Sequence, residues 1–219
     1  MSAFLGKIHF WLFNKIQLHE ELINKIIELA ASKGFKSDEL VKESYLKYGE
    51  PAEGPLENQI DHNNIHGWLQ DRINSVELRL AFIVTNLTNN NIIKDKEIEK
   101  VFYENGINIM KKLGLTQVSI DDFYNLIFDY MLEGMPCDRI NEILNKDENS
   151  ITWKLKRNIH KDYWDKVSGD INYFNDLRVA WINGFASETD YKYSITDKGI
   201  HILEKRWLHG WNKINGWRA

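Results

Sequence analysis

The chain has 219 residues, 43% of them hydrophobic and 27% charged, and a formal net charge of −4. That balance is ordinary for a folded chain and excludes wholesale disorder, while the slight acidity gives no global attraction for nucleic acid or an anionic membrane. One cysteine, Cys137, excludes an intrachain disulfide and any multi-cysteine metal site.

The most apolar stretch, Leu78–Leu87, is far shorter than the roughly 20 residues of a membrane span and contains Arg79. The first residues carry no basic leader and no small-residue cleavage site, so a signal peptide is not expected. A cytoplasmic protein without a membrane anchor is the expectation.

In chain order, residues 3–33 place Phe4, Ile8, Leu12, Ile16, Ile23, Ile26 and Ala30 at helical spacing, and Gly34 supplies a stop. His19 falls in the middle of that apolar stripe, with Lys15 close by and His9 and Glu20 at its margins. A short helix from Ser37 to about Tyr48 follows, and GEPAEGPLENQ reads as a loop.

The stretch Asp61–Thr88 reads as a long helix capped by Asp61 or Asn63, with Ile65, Leu69, Ile73, Val76, Leu80, Ile83, Val84 and Leu87 on its buried face. A third long helix spans 94–113 up to Gly114, and a fourth starts at Ser119 and runs to about Leu132. The Gly134–Pro136 break suggests a boundary between a helical unit, 1–133, and a smaller unit, 134–219.

The second unit has a different texture. Asp138–Asn145 reads as a short helix, 151–160 as strand or helix, 170–186 as a helix, YKYSIT as a strand, and the residues after Gly199 as helical. The fold class expected is therefore mainly α: an N-terminal helical bundle and a smaller α+β C-terminal portion containing a β-hairpin. Trp207, Trp211 and Trp217 in the last residues suggest a packing arm, onto the same domain or a homodimer partner.

His62 and His66 are the sharpest pair for chemistry. At i and i+4 on a helix two imidazoles share one side and can hold one ion, or serve as acid and base near neutral pH. A third ligand would come from His19, with Glu20 or His9 beyond it, if the first helix packs antiparallel to this one. The expected cofactor is then one transition-metal ion, zinc or iron, in a histidine-lined pocket that takes a small-molecule ligand. HExxH, GxSxG, P-loop and GxGxxG signatures are absent from the sequence. Cys137, after Pro136, reads as a cysteine at a helix start, where the dipole favours the thiolate.

Residues 170–206, a helix followed by ASETDYKYSITDKGIHILEKRW, resemble the recognition helix and wing of winged-helix transcriptional repressors. The resemblance implies Asn172, Asn175 and Arg178 as groove-facing residues and Lys192 and Lys198 as wing contacts. Residues 133–161 offer a competing helix-turn-helix with a better basic element in Lys154, Lys156, Arg157 and Lys161. The alternative function is thus a ligand-responsive regulator that binds DNA through Lys154, Lys156, Arg157 and Lys198.

Overall fold

The computed structural model describes residues 5–115 and 117–206. The Trp-rich stretch expected to form a dimer arm lies outside the described residues. The fold is mainly helical, with a four-stranded antiparallel sheet in its C-terminal part. Among the described residues no helix is long and apolar enough to cross a membrane.

Helix α1 (Lys7–Ser32) buries Leu12, Ile16, Ile23, Ile26 and Ala30 as its spacing predicts. The stripe is rotated from the expected one, however: Ile8 is 52% exposed, while His9, Lys15, His19 and Glu20 turn inward. Helix α2 (Asp38–Tyr48) starts after Ser37, and the loop that follows contains one unforeseen helical turn, α3 (Leu56–Gln59).

Helix α4 (Ile65–Asn89) begins later than the sequence reading placed it. Asn64, not Asp61 or Asn63, caps it, its side chain accepting from Gly67 N at 3.2 Å. Its stripe from Ile65 to Leu87 is buried. Helix α5 (Asp95–Leu113) ends in left-handed Gly114, and α6 (Ile120–Tyr130) is capped by Ser119, which accepts from Asp122 N at 3.1 Å.

The rest departs from expectation in two elements. Asn141–Lys146, expected as helix, is strand β1; Ser150–Leu155 is β2. Helices α7 (Lys161–Lys166) and α8 (Ile171–Ser187) follow, and β3 (Tyr191–Ile195) turns at Gly199 into β4 (Ile200–Lys205), also expected as helix. The strand order is β1-β2-β4-β3, so β4 is central and its backbone groups pair on both sides. A hairpin partner on one side and β2 on the other override the helical character of IHILEK.

Two contacts position the site. Helices α5 and α8 cross backbone to backbone through Gly106 and Gly184: a Cβ on Gly106 would fall 2.7 Å from Phe185 N, and one on Gly184 would strike the Tyr103 carbonyl. Helices α1 and α4 also pack together, and they run parallel, since His9 meets His66 and Glu20 meets Arg79. One apolar core continues from Leu12 of α1 to Leu203 of β4.

Candidate functional site

The histidines singled out by spacing do not converge. Because α4 starts at Ile65, His62 sits in the preceding turn, exposed, with its Nε2 3.4 Å from the Glu57 carbonyl. His66 is exposed at the start of α4, its Nε2 3.4 Å from His9 Nε2. His9 Nδ1 accepts from Gly6 N at 2.9 Å, and among the described residues that pair of imidazoles has no third metal-ligating side chain beside it.

Parallel packing explains why His19 is elsewhere. Ten residues separate His9 from His19, about 15 Å of helix at 1.5 Å per residue. His19 therefore lies level with Glu77 and Arg79, not with His62 and His66. Glu20, offered as a further ligand, is taken by Arg79, which donates Nη1 to Glu20 Oε2 at 2.8 Å and Nη2 to Oε1. No group of His, Cys, Asp or Glu side chains suited to holding a metal ion exists among the described residues. Cys137 is exposed in a single 3-10 turn, Pro136–Asp138, rather than at an α-helix start.

A different constellation occupies the interior. His19 from α1, Glu77 from α4, Glu133 after α6, His160 before α7 and Arg178 from α8 are all buried. Glu77 sits at stripe position between Ile73 and Leu80, and Arg178 between Phe174 and Trp181, so helix geometry forces both charges inward. His160 Nδ1 donates to Glu77 Oε1 at 3.0 Å. Arg178 Nη1 lies 3.1 Å from His160 Nε2, and because a guanidinium only donates, Nε2 must accept. Arg178 Nη2 pairs with Glu133 Oε1.

The electrostatics of this interior are uneven. Burial holds the Arg178 guanidinium down to about 10, still charged at neutral pH. Burial also depresses His19 to about 4, so it is a neutral imidazole whose Nδ1 lies 3.0 Å from the Lys15 carbonyl. Desolvation pushes the Glu77 carboxyl up, but His160, which also hydrogen-bonds it, and Arg178 outweigh that and hold Glu77 below the usual carboxylate range. Glu77 Oε2 has no hydrogen-bond partner among the described residues.

Arg178 also connects this interior with two voids. A cavity of about 20 Å³, room for about one water, lies between α1, α5, α6 and α8 and is lined by His19, Asn105, Tyr130 and Arg178. On the other side an open groove of about 330 Å³ runs between α8 and the sheet. Leu155, Val179, Ile182 and Ile195 give it apolar walls; Lys154, Lys198, Asn158 and Asn175 give it polar ones. Tyr193 and His201, 2.6 Å apart from Oη to Nδ1, complete it. Burial, then Arg178, lowers His201 to about 4, so His201 is neutral at pH 7. Among the described residues no carboxylate lines the groove.

Residues named for the regulator reading scatter. Arg178 is buried and paired, Asn172 is exposed, and Asn175 lines the groove. Lys192 pairs with Glu204, Lys154 with Glu142 and Arg157 with Asp138; Lys156 and Lys198 are exposed.

No family model, no curated protein and no solved structure matches this chain.

Proposed function

We propose that this protein binds a small molecule, and that its site is the groove between α8 and the β2–β4–β3 part of the sheet. One observation carries the reading: the buried Arg178 reaches the groove from a preorganised interior, into a space lined by cations and apolar walls and, among the described residues, by no carboxylate. A few convergent polar groups among apolar side chains, in about 300–1,000 Å³, is the usual make-up of a ligand pocket. Arg178 is fixed from behind by Glu133 and His160, so the ordering of that side chain is complete before a ligand arrives.

Filling the groove tests the reading without touching the buried charges. Val179→Trp and Ile195→Trp each put an indole in place of a smaller side chain that lines the space. A ligand found by thermal-shift screening should lose binding at least tenfold in both, with circular dichroism unchanged. Undiminished binding in both variants would move the site elsewhere.

A second reading, a ligand-responsive regulator, is favoured by one observation: the β3–β4 hairpin follows α8 directly, in the helix-then-wing order. Under it, changing Lys154, Lys156 and Arg157 together to Ala should abolish a salt-sensitive duplex gel shift. A wild-type protein that shifts no duplex at low salt contradicts it.

A further inference from the structure

We infer that the protein has a second binding site, for a neutral polyhydroxylated ligand of the monosaccharide kind, in the pocket where the end of α4 meets the starts of α5 and α8. This site is separate from the groove and does not depend on the reading of it.

The pocket is open and measures about 600 Å³, inside the range of about 300–1,000 Å³ for small-molecule sites. Two turns bring its walls together. Helix α4 ends at Asn89, and the chain turns through left-handed Asn91 (φ 55°) to Asp95, the first residue of α5. On the other side Ser168 is also left-handed (φ 56°), and Asp170 caps α8, its carboxylate accepting from Asn172 N at 2.8 Å. Tyr173 ties the two sides, donating its hydroxyl to the Asp95 carbonyl at 2.8 Å.

The observation that points to a ligand is at the floor of this pocket. Thr85 is 6% exposed and Trp164 1% exposed, yet Thr85 Oγ1 and Trp164 Nε1 have no hydrogen-bond partner among the described residues. Buried polar atoms are rarely left so. Thr88, three residues on, does what a helical threonine can do, donating back to the Val84 carbonyl at 3.0 Å. Thr85 makes no such bond. Its Oγ1 points instead toward Gly169 on the pocket wall, where a Cβ would fall 2.5 Å from it.

Charge and hydrogen-bonding capacity set the ligand class. Among the described residues no Lys, Arg or His lines the pocket, so an anion finds no ionic partner there. The two carboxylates, Asp95 and Asp170, each sit at the positive end of a helix, of 19 and 17 residues, which offsets their charge. A cation therefore meets little net charge. The pocket also presents donors: the carboxamides of Asn89 and Asn91, the Ser168 hydroxyl and the Trp164 indole. An ammonium group only donates, so it leaves these unmatched. A hydroxyl donates and accepts, and several on one small frame can give to the carboxylates while taking from the amides. Tyr173, half-buried, and Trp164 supply aromatic surface for the C–H face of a sugar ring.

Amide NMR of the whole chain, titrated with glucose, N-acetylglucosamine, ribose and myo-inositol, tests the site. At least one of them at millimolar concentration should shift the amides of Asn91, Ser168, Gly169 and Asp170, and leave those of Val179 and Ile195 in the groove unmoved. Asn89→Trp, at an exposed position on the pocket wall, should weaken that binding at least tenfold. Thr85→Val keeps the shape of the side chain and removes its hydroxyl. It should weaken binding several-fold without lowering the melting temperature, since a hydroxyl that bonds nothing in the protein does not hold the fold together. Undiminished binding in either variant, or a lower melting temperature in Thr85→Val, overturns the proposal. So does a pocket whose amides none of the four polyols moves, or one that cyclohexylamine occupies more tightly than all of them; the groove reading is untouched by any of these results.

Discussion

At the scale of single residues, the interior charges decide what can be changed. Removing one partner of a buried ion pair leaves the other uncompensated, at about 3–5 kcal/mol. Arg178→Met strands Glu133 and leaves His160 Nε2 without its donor. Chemical denaturation should show a loss of that size, and Glu133→Gln added to Arg178→Met should restore part of it. Strictly additive losses would mean that the two side chains are not coupled.

The neutral histidines of the fold, buried His19 and half-buried His201, set a pH dependence with a definite sign. His19 and His201 are lowered from 6.5 to about 4 in the fold. Between those values the unfolded chain binds more protons, so stability is full above pH 6.5 and falls as the pH drops toward 4. Glu77, also held low, adds a loss in the more acidic range. Urea midpoints should therefore be lower at pH 4.5 than at pH 7.5, and His201→Gln should flatten part of that slope. Equal midpoints at the two pH values would contradict the burial argument.

These residues were partly legible in the sequence. His19 was placed on the apolar face of α1 and is buried there. Glu77 and Arg178 carry the same signal, a charge at stripe position, which the winged-helix resemblance obscures by turning Arg178 outward. Helical spacing shows that a residue points inward; it does not show which residues on other helices wait for it. Glu133 and His160 lie outside α-helices and strands, where no periodicity marks them.

At the scale of elements, the long helices were legible because apolar side chains repeat over many turns with clear stops, Gly34 and Gly114 among them. β1 and β4 were not. Each is six residues long, too short to separate a period of 2 from 3.6. Ile200, Ile202 and Leu203 satisfy either, and only the partners β2 and β3 decide. The α1–α4 pairing was equally out of reach, since amphipathic stripes fit together parallel or antiparallel. That one choice of direction separates His19 from His66 and dissolves the expected three-histidine site.

The α5–α8 crossing makes its own prediction. Gly184→Ala puts a methyl against the Tyr103 backbone, which cannot move aside as a side chain would. Overpacking of that kind costs about 3 kcal/mol, or a melting temperature lower by roughly 5–10 °C in a chain of this size. Because α8 carries Arg178, the same variant should also weaken ligand binding in the groove. An unchanged melting temperature would show that the two backbones are not in contact.

At the scale of the whole molecule, the helices and the sheet share one apolar core, and α8 lies between them. On one side it packs on α5; on the other it forms a wall of the groove. Its buried charged residue, Arg178, meets His160 and Glu133 between the two. Apolar side chains of similar volume in place of such interior charges are often as stable or more so, so stability alone does not account for them.

The most direct test is a backbone amide NMR titration with a ligand found by thermal-shift screening. The account predicts the largest shift changes at Asn175, Val179, Ile195 and Lys198, around the groove, with His62 and His66 unaffected. Changes centred on His62 and His66, or none at the groove residues at saturation, would contradict it.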